Sequence, residues 1–163
     1  MEKVHRYALD VEWTGNTGEG TKDYRSYKRD YKIRMLHKPI IEGSSEVAFR
    51  GDITRHSPED LFVASIAGCH MLWYLHLCAD AGIVVTSYLD AATGSMLEDE
   101  SGGGKFSEVV LHPQVSITDS GMVSKAQELH HKANELCYIA RSCNFPIKHE
   151  AVISVAPGET LGG

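Results

Sequence analysis

Positive charge is in short supply: 16 Lys and Arg stand against 22 Asp and Glu, a formal net charge of −6. Without a basic stripe, the counterion release that drives nucleic-acid binding has no source, and DNA and RNA are not expected partners. Cysteine is sparse as well. Cys69, Cys78, Cys137 and Cys143 are too few for the disulfide framework of a small secreted domain, and a reducing compartment keeps them as thiols. The stretch from Met1 to Arg6 lacks the apolar block of a secretory signal, so residence in the cytoplasm is expected. Nine histidines are present, yet no Cys-x-x-Cys or His-x-x-x-His occurs. Structural zinc sites typically space ligands about two to four residues apart, so neither a metal nor another cofactor is expected.

One long uncharged run does exist. From Leu61 to Ala79 there is no Asp, Glu, Lys or Arg, which raises the question of a membrane span. That reading is rejected, because Ser65, His70 and His76 lie inside the run, Asp60 and Asp80 flank it, and no cluster of Lys or Arg marks one side. A helix apolar nearly all round belongs in a protein interior or a subunit interface. Its start is well marked: Ser57 as N-cap, Pro58 at the first helical position, and Glu59 and Asp60 facing the positive end of the dipole. Gly82 is a natural stop.

With 163 residues, 42% hydrophobic and 23% charged, the chain fits one ordinary globular domain, residues 1–163, with no repeat and no linker. Tyr7, Leu9, Val11 and Trp13 alternate with Ala8, Asp10 and Glu12, the period of a half-buried strand. After the turn-rich stretch 14–20 the alternation resumes from Tyr27 to Met35, predicting a hairpin. A short third strand is expected through Pro39, Ile40 and Ile41, then a loop from Glu42 to His56, too long for a mere turn, that carries Arg50 and Arg55. Beyond the helix, Val84 to Met96 and Phe106 to Ile117 read as two strands of a second hairpin. A second helix is predicted from Asp119 or Ser120 to beyond Cys137, and a last strand around Ile147 to Val155. The fold class is α+β.

Cys69 lies inside the first helix with Phe62, Ile66, Trp73 and His76 on its face, and base rates favour a packed core thiol. Burial alone raises a thiol pKa, so reactivity requires a cation or donor from elsewhere, an arginine being the obvious candidate. Cys137 lies late in the second helix with His130 and Asn134 on its face. A disulfide needs Cα atoms about 4.4–6.8 Å apart, a separation that spacing along the chain does not reveal.

Ser57-Pro58-Glu59-Asp60-Leu61, then Ala67-Gly68-Cys69-His70, then Cys137 with Ser142 behind it, resemble the signature regions of the OsmC/Ohr family, and the likeness extends over nearly the whole chain. The resemblance implies an OsmC-like intertwined homodimer, with antiparallel sheets packed around two central helices. It also implies a peroxidase of organic hydroperoxides or hydrogen peroxide. By this likeness Cys69 is the peroxidatic thiolate, which becomes a sulfenic acid, and Cys137 the resolving thiol that captures it as a disulfide. A dithiol or lipoyl-type reductant then regenerates the pair.

The same resemblance implies an arginine that holds thiolate and peroxide, and a glutamate that holds the arginine. Glu59 matches the glutamate. For the arginine, Arg50 in Phe49-Arg50-Gly51 is preferred, with Arg25 as the alternative; Arg29 and Arg55, like Arg25, otherwise read as solvated surface charges. Ten residues of helix between Glu59 and Cys69 are roughly 15 Å of rise, so Arg50 must bridge them or a second subunit must supply one side. Two departures stand out: Tyr138 follows Cys137 where the family often has proline, and Cys143 is a spare thiol able to resolve instead. His70 and His76 read as core or interface histidines. The alternative function is a non-catalytic OsmC-like homodimer that binds a small molecule or senses redox state, its cleft lined by Phe62, Trp73, Tyr74 and Phe145.

Overall fold

The alternation in the first third of the chain becomes an antiparallel three-stranded sheet of β1 (Asp10–Trp13), β2 (Tyr31–Arg34) and β3 (Ile41–Gly43), in that order. The computed structural model describes residues 3–156 and divides into two units between Leu61 and Phe62. β1 is exposed at every residue in the single chain rather than half-buried, because it is an edge strand and its apolar side chains have no cover. β3 begins two residues later than the sequence predicts, since Pro39 brings no N–H to a ladder. Gly43 stands opposite Tyr31, and a Cβ there would fall 2.1 Å from the tyrosine ring, so only glycine lets that ring lie across the sheet.

The long loop after β3 is tied down. Ser44 is buried, donates from its hydroxyl to Asp30 at 3.3 Å and accepts from the Asp52 N–H at 3.1 Å. Arg55 is not a free surface charge: its guanidinium hydrogen-bonds Glu42 and lies 3.9 Å from Asp30 and 3.6 Å from Asp52. Partial desolvation opposes ionisation of Glu42, but Arg55 and Lys32 hold its carboxyl below the usual range. A 3₁₀ turn at Val47–Phe49 ends on Arg50 at φ 67°, and the Gly51 N–H then donates to Glu46 O at 2.9 Å. A Cβ on Gly51 would fall 1.5 Å from the Ser45 carbonyl oxygen. Gly51→Ala is expected to destabilise the protein by about 2 kcal/mol or more, seen as a lower urea midpoint; an unchanged midpoint refutes the close approach.

The principal helix, α1 (Pro58–Asp80), starts where the sequence predicts. The Ser57 hydroxyl accepts from the Asp60 N–H and the Asp60 carboxylate from the Ser57 N–H, both at 3.0 Å, a reciprocal cap. Gly82, at φ 72°, turns the chain so that the Ile83 N–H reaches Cys78 O at 2.8 Å. Ile66, His70, Tyr74 and Cys78, each four residues on, form the buried stripe. By length and composition alone α1 could cross a membrane.

Beyond α1 each predicted strand is broken in two. β4 (Val85–Asp90) and β5 (Thr93–Glu98) replace the first, β6 (Gly104–Leu111) and β7 (Pro113–Ile117) the second, and β8 (Ile147–His149) and β9 (Val152–Val155) the last. They form two sheets, ordered β4-β7-β9 and β5-β6-β8, with antiparallel hairpin pairs and β8 and β9 parallel to their neighbours. The sheets are therefore mixed rather than antiparallel throughout. All three breaks fall at one level, where Pro113 lacks an N–H and the His112 N–H turns to the Asp90 carboxylate at 2.7 Å.

The second helix, α2 (Val123–Leu136), follows a 3₁₀ turn capped by Asp119, whose carboxylate accepts from the Gly121 N–H. It ends one residue before Cys137, not beyond it. Ala126, Leu129 and Ala133 of α2 join Tyr74, Cys78, Ile83, Val115 and Ile117 in one core cluster, while Ile66, Val109 and Leu111 form a second. Phe62, Phe106 and Phe145 pack against that second cluster, and Tyr74 is fully buried. Tyr74 thus belongs to the core, while Phe62 and Phe145 are partly buried against it.

Candidate thiol active site

Cys69 is carried mid-helix on α1, half-buried, and Cys137 caps α2, with 0% of its surface exposed. At Cys137 the backbone has left the helix (φ −64°, ψ 112°), although its N–H still donates to Ala133 O at 2.9 Å. The two thiols, 68 positions apart in the chain, are neighbours, close enough for Cys69 to perturb the Cys137 thiol. Both are reduced. Burial, then the neighbouring Cys69, push the Cys137 thiol up to about 11 against the weaker opposing pull of the Ala140 N–H, which donates to its sulfur at 3.3 Å. Cys137 therefore keeps its proton at neutral pH. Chemically, this is a pair in which an oxidised sulfur on Cys69 has a protonated thiol nearby.

The other two cysteines are packed. Cys143 donates to Ile139 O at 3.3 Å, lies against the second core cluster, and is raised by burial. Cys78 is buried in the first cluster beside Tyr74, and burial raises its thiol too.

His70 and His130 are 1% and 0% exposed, and their Nε2 and Nδ1 atoms hydrogen-bond at 3.0 Å. Burial lowers His70 to about 4, helped by His149, and His130 to about 3, helped by His70 and then His149 and His131, so both are neutral at pH 7. His70 is thus a core histidine as the sequence predicts, whereas His76 lies exposed in the single chain, 3.4 Å from Asp80. A separate open cleft of about 520 Å³ is lined by His112, His131, His149 and Glu150 among others and includes neither thiol of the pair. Among the described residues no group of three His, Cys, Asp or Glu side chains is arranged to hold a metal ion.

A family model described as OsmC-like protein matches residues 51–151. The chain belongs to the OsmC-like protein family. No protein of curated function matches it. An OsmC-like protein of unknown function from Vibrio cholerae is similar at 27% identity and a TM-score of 0.83, over 91% of this chain and 100% of that one. An organic hydroperoxide resistance protein from Elizabethkingia anophelis is similar at 19% identity and a TM-score of 0.66, over 96% and 100% of the two chains. One from Bacillus subtilis follows at 22% and 0.57, over 91% and 98%. The likeness to these last two is one of fold.

In this OsmC-like protein the remaining expected site residues lie in the first unit. Arg50 adopts the left-handed backbone region, an uncommon conformation outside glycine that clusters at functional positions. Its guanidinium makes no ion pair among the described residues, with Glu59 or otherwise. Arg34 and Arg55 are engaged with carboxylates and Arg29 lies 4.2 Å above the rings of Tyr24 and Tyr27. Arg25 sits in the β1–β2 loop, its backbone N–H bound to Asp23. Glu59, in the first turn of α1, adds to the negative field that, after burial, raises Tyr31. Sequence reasoning placed His130 on the Cys137 face of the second helix but did not pair it with His70, a contact that only the packing of α1 against α2 reveals.

Proposed function

We propose that this OsmC-like protein is a cytoplasmic thiol peroxidase that reduces organic hydroperoxides or hydrogen peroxide. The Cys69 thiolate attacks the O–O bond, takes one oxygen as a sulfenic acid and releases the alcohol after one proton is supplied. The Cys137 thiol then attacks the sulfenic sulfur, forming the disulfide and releasing water. A dithiol or lipoyl-type reductant returns both thiols. Arg50, with Glu59 to orient it, is the cation assigned to the thiolate and peroxide. The observation that carries the reading is the proximity of the two thiols, which brings cysteines 68 positions apart in sequence into one neighbourhood.

Reduced protein treated with one equivalent of cumene hydroperoxide should consume it and lose about 2 Da in intact mass, the two thiol hydrogens. Peptide mapping should join Cys69 to Cys137. A crosslink from Cys69 to Cys143 would transfer the resolving role to Cys143, and failure to consume the peroxide would end the enzymatic reading.

A homodimer is part of the proposal. Leu72, in the middle of α1, is 65% exposed in the single chain, and a Cβ added at Gly68 would meet nothing within 4 Å. A mid-helix glycine costs about 1 kcal/mol relative to alanine, a cost that close approach of a second copy accounts for. Sedimentation should give twice 18.0 kDa, and Leu72→Glu should shift the protein toward the monomer; a wild type that sediments as a monomer refutes this part.

A further inference from the structure

We infer that His70 and His130 form a positioning pair whose contact sets the alignment of Cys69 with Cys137 for disulfide closure. The inference rests on the reading of those two cysteines as the working pair. His70 follows Cys69 directly on α1, and His130 lies two turns before Cys137, the residue on which α2 ends, so each imidazole is fixed on the helix that carries or leads into one thiol. The 3.0 Å hydrogen bond between the rings, held 5° from parallel, is directional. On its face His130 also stacks against Tyr74, 3.8 Å between centroids and 10° between planes. Tyr74 is one turn beyond His70 on α1. One helix therefore grips the His130 ring twice, once at its edge and once on its face.

An edge bond resists sliding of α2 along α1, and a stacked face resists its rotation. Apolar contacts around them do neither, because they are non-directional. The arrangement is also costly. Both imidazoles are buried polar groups, and an apolar pair would fill the same space without desolvating them. Buried polar groups retained at such a cost are best attested where they specify registry between helices. Here the register at stake is that of two sulfur atoms, whose closure tolerates little displacement.

The test measures the equilibrium between the Cys69–Cys137 disulfide and a dithiothreitol buffer, which needs no peroxide turnover. His70→Leu and His130→Leu should lower the equilibrium constant for closure by roughly 10- to 100-fold, the scale of an ångström-sized misplacement. His70→Gln and His130→Asn, whose amides reproduce the Nε2 and Nδ1 positions, should restore most of it. Near-ultraviolet circular dichroism and urea unfolding establish that each variant is folded, and the double variant His70→Leu/His130→Leu, with both polar partners removed, keeps the test valid if a single variant does not fold. Folded leucine variants with a wild-type equilibrium overturn the inference alone. A wild type that forms no Cys69–Cys137 disulfide overturns the proposed function and this inference together.

Discussion

Cys69→Ser is expected to reduce steady-state consumption of cumene hydroperoxide to the uncatalysed background, a loss on the order of 10³-fold or more. A serine hydroxyl is not ionised at neutral pH and cannot form the sulfenic acid, so nothing in the remaining chain replaces it. Cys137→Ser should behave differently: one equivalent of peroxide is consumed, and the protein stops as a sulfenic acid about 16 Da heavier, trapped by dimedone. The contrast separates chemistry from recycling. Rates measured with excess dithiol for wild type and both variants decide the matter; equal rates in all three proteins would leave Cys69 without a catalytic role.

The second large effect is on stability. His70 and His130 are held neutral by burial, at about 4 and about 3, against an ordinary 6.5. In the unfolded chain both take up a proton near pH 6.5, whereas the folded state refuses it. Stability is therefore complete above the unfolded value and falls as pH drops from 6.5 toward 4. At about 1.4 kcal/mol per unit, His70 alone contributes roughly 3 kcal/mol to that loss, and the pair more. This is a large share of the roughly 5–15 kcal/mol that holds a domain together. Asp52 and Asp99 are held below the usual carboxylate range and act only beneath this window, while Asp90, raised by burial, works in the opposite direction. Urea midpoints between pH 7.5 and 4.5 should fall steeply in the wild type and much less in His70→Leu/His130→Leu. A flat profile in the wild type refutes the assignment.

What the sequence made legible was local. The start of α1 could be read from Ser57, Pro58 and Asp60 because a cap satisfies backbone groups within a few residues, and Gly82 marked the stop for the same reason. The α+β order of elements followed from periodicity. The broken strands did not, because the alternation continues across the bend; the signs were Pro113 and an aspartate at position 90 aimed at a backbone N–H. The end of α2 carried no glycine or proline to announce it. Arg55 looked like any surface arginine because two of its three carboxylates, Asp30 and Glu42, come from other segments, and the thiol pair and the imidazole pair are likewise products of tertiary packing. Cys69 and Cys137 were named together through resemblance, not through spacing.

That α2 stops at Leu136 has a mechanical consequence. Cys69 is clamped in the middle of a long helix, where moving its sulfur means disturbing turns on both sides. Cys137 is mounted on the first non-helical residue, held by its N–H to Ala133 O, by its carbonyl accepting from the Arg141 N–H and by its sulfur accepting from the Ala140 N–H, so its movement disturbs the helix end and the turn behind it rather than the helix body. One sulfur is an anvil and the other a hinged hammer. If the proposed disulfide cycle operates, its movement falls on the segment just after α2 and leaves the middle of α1 in place.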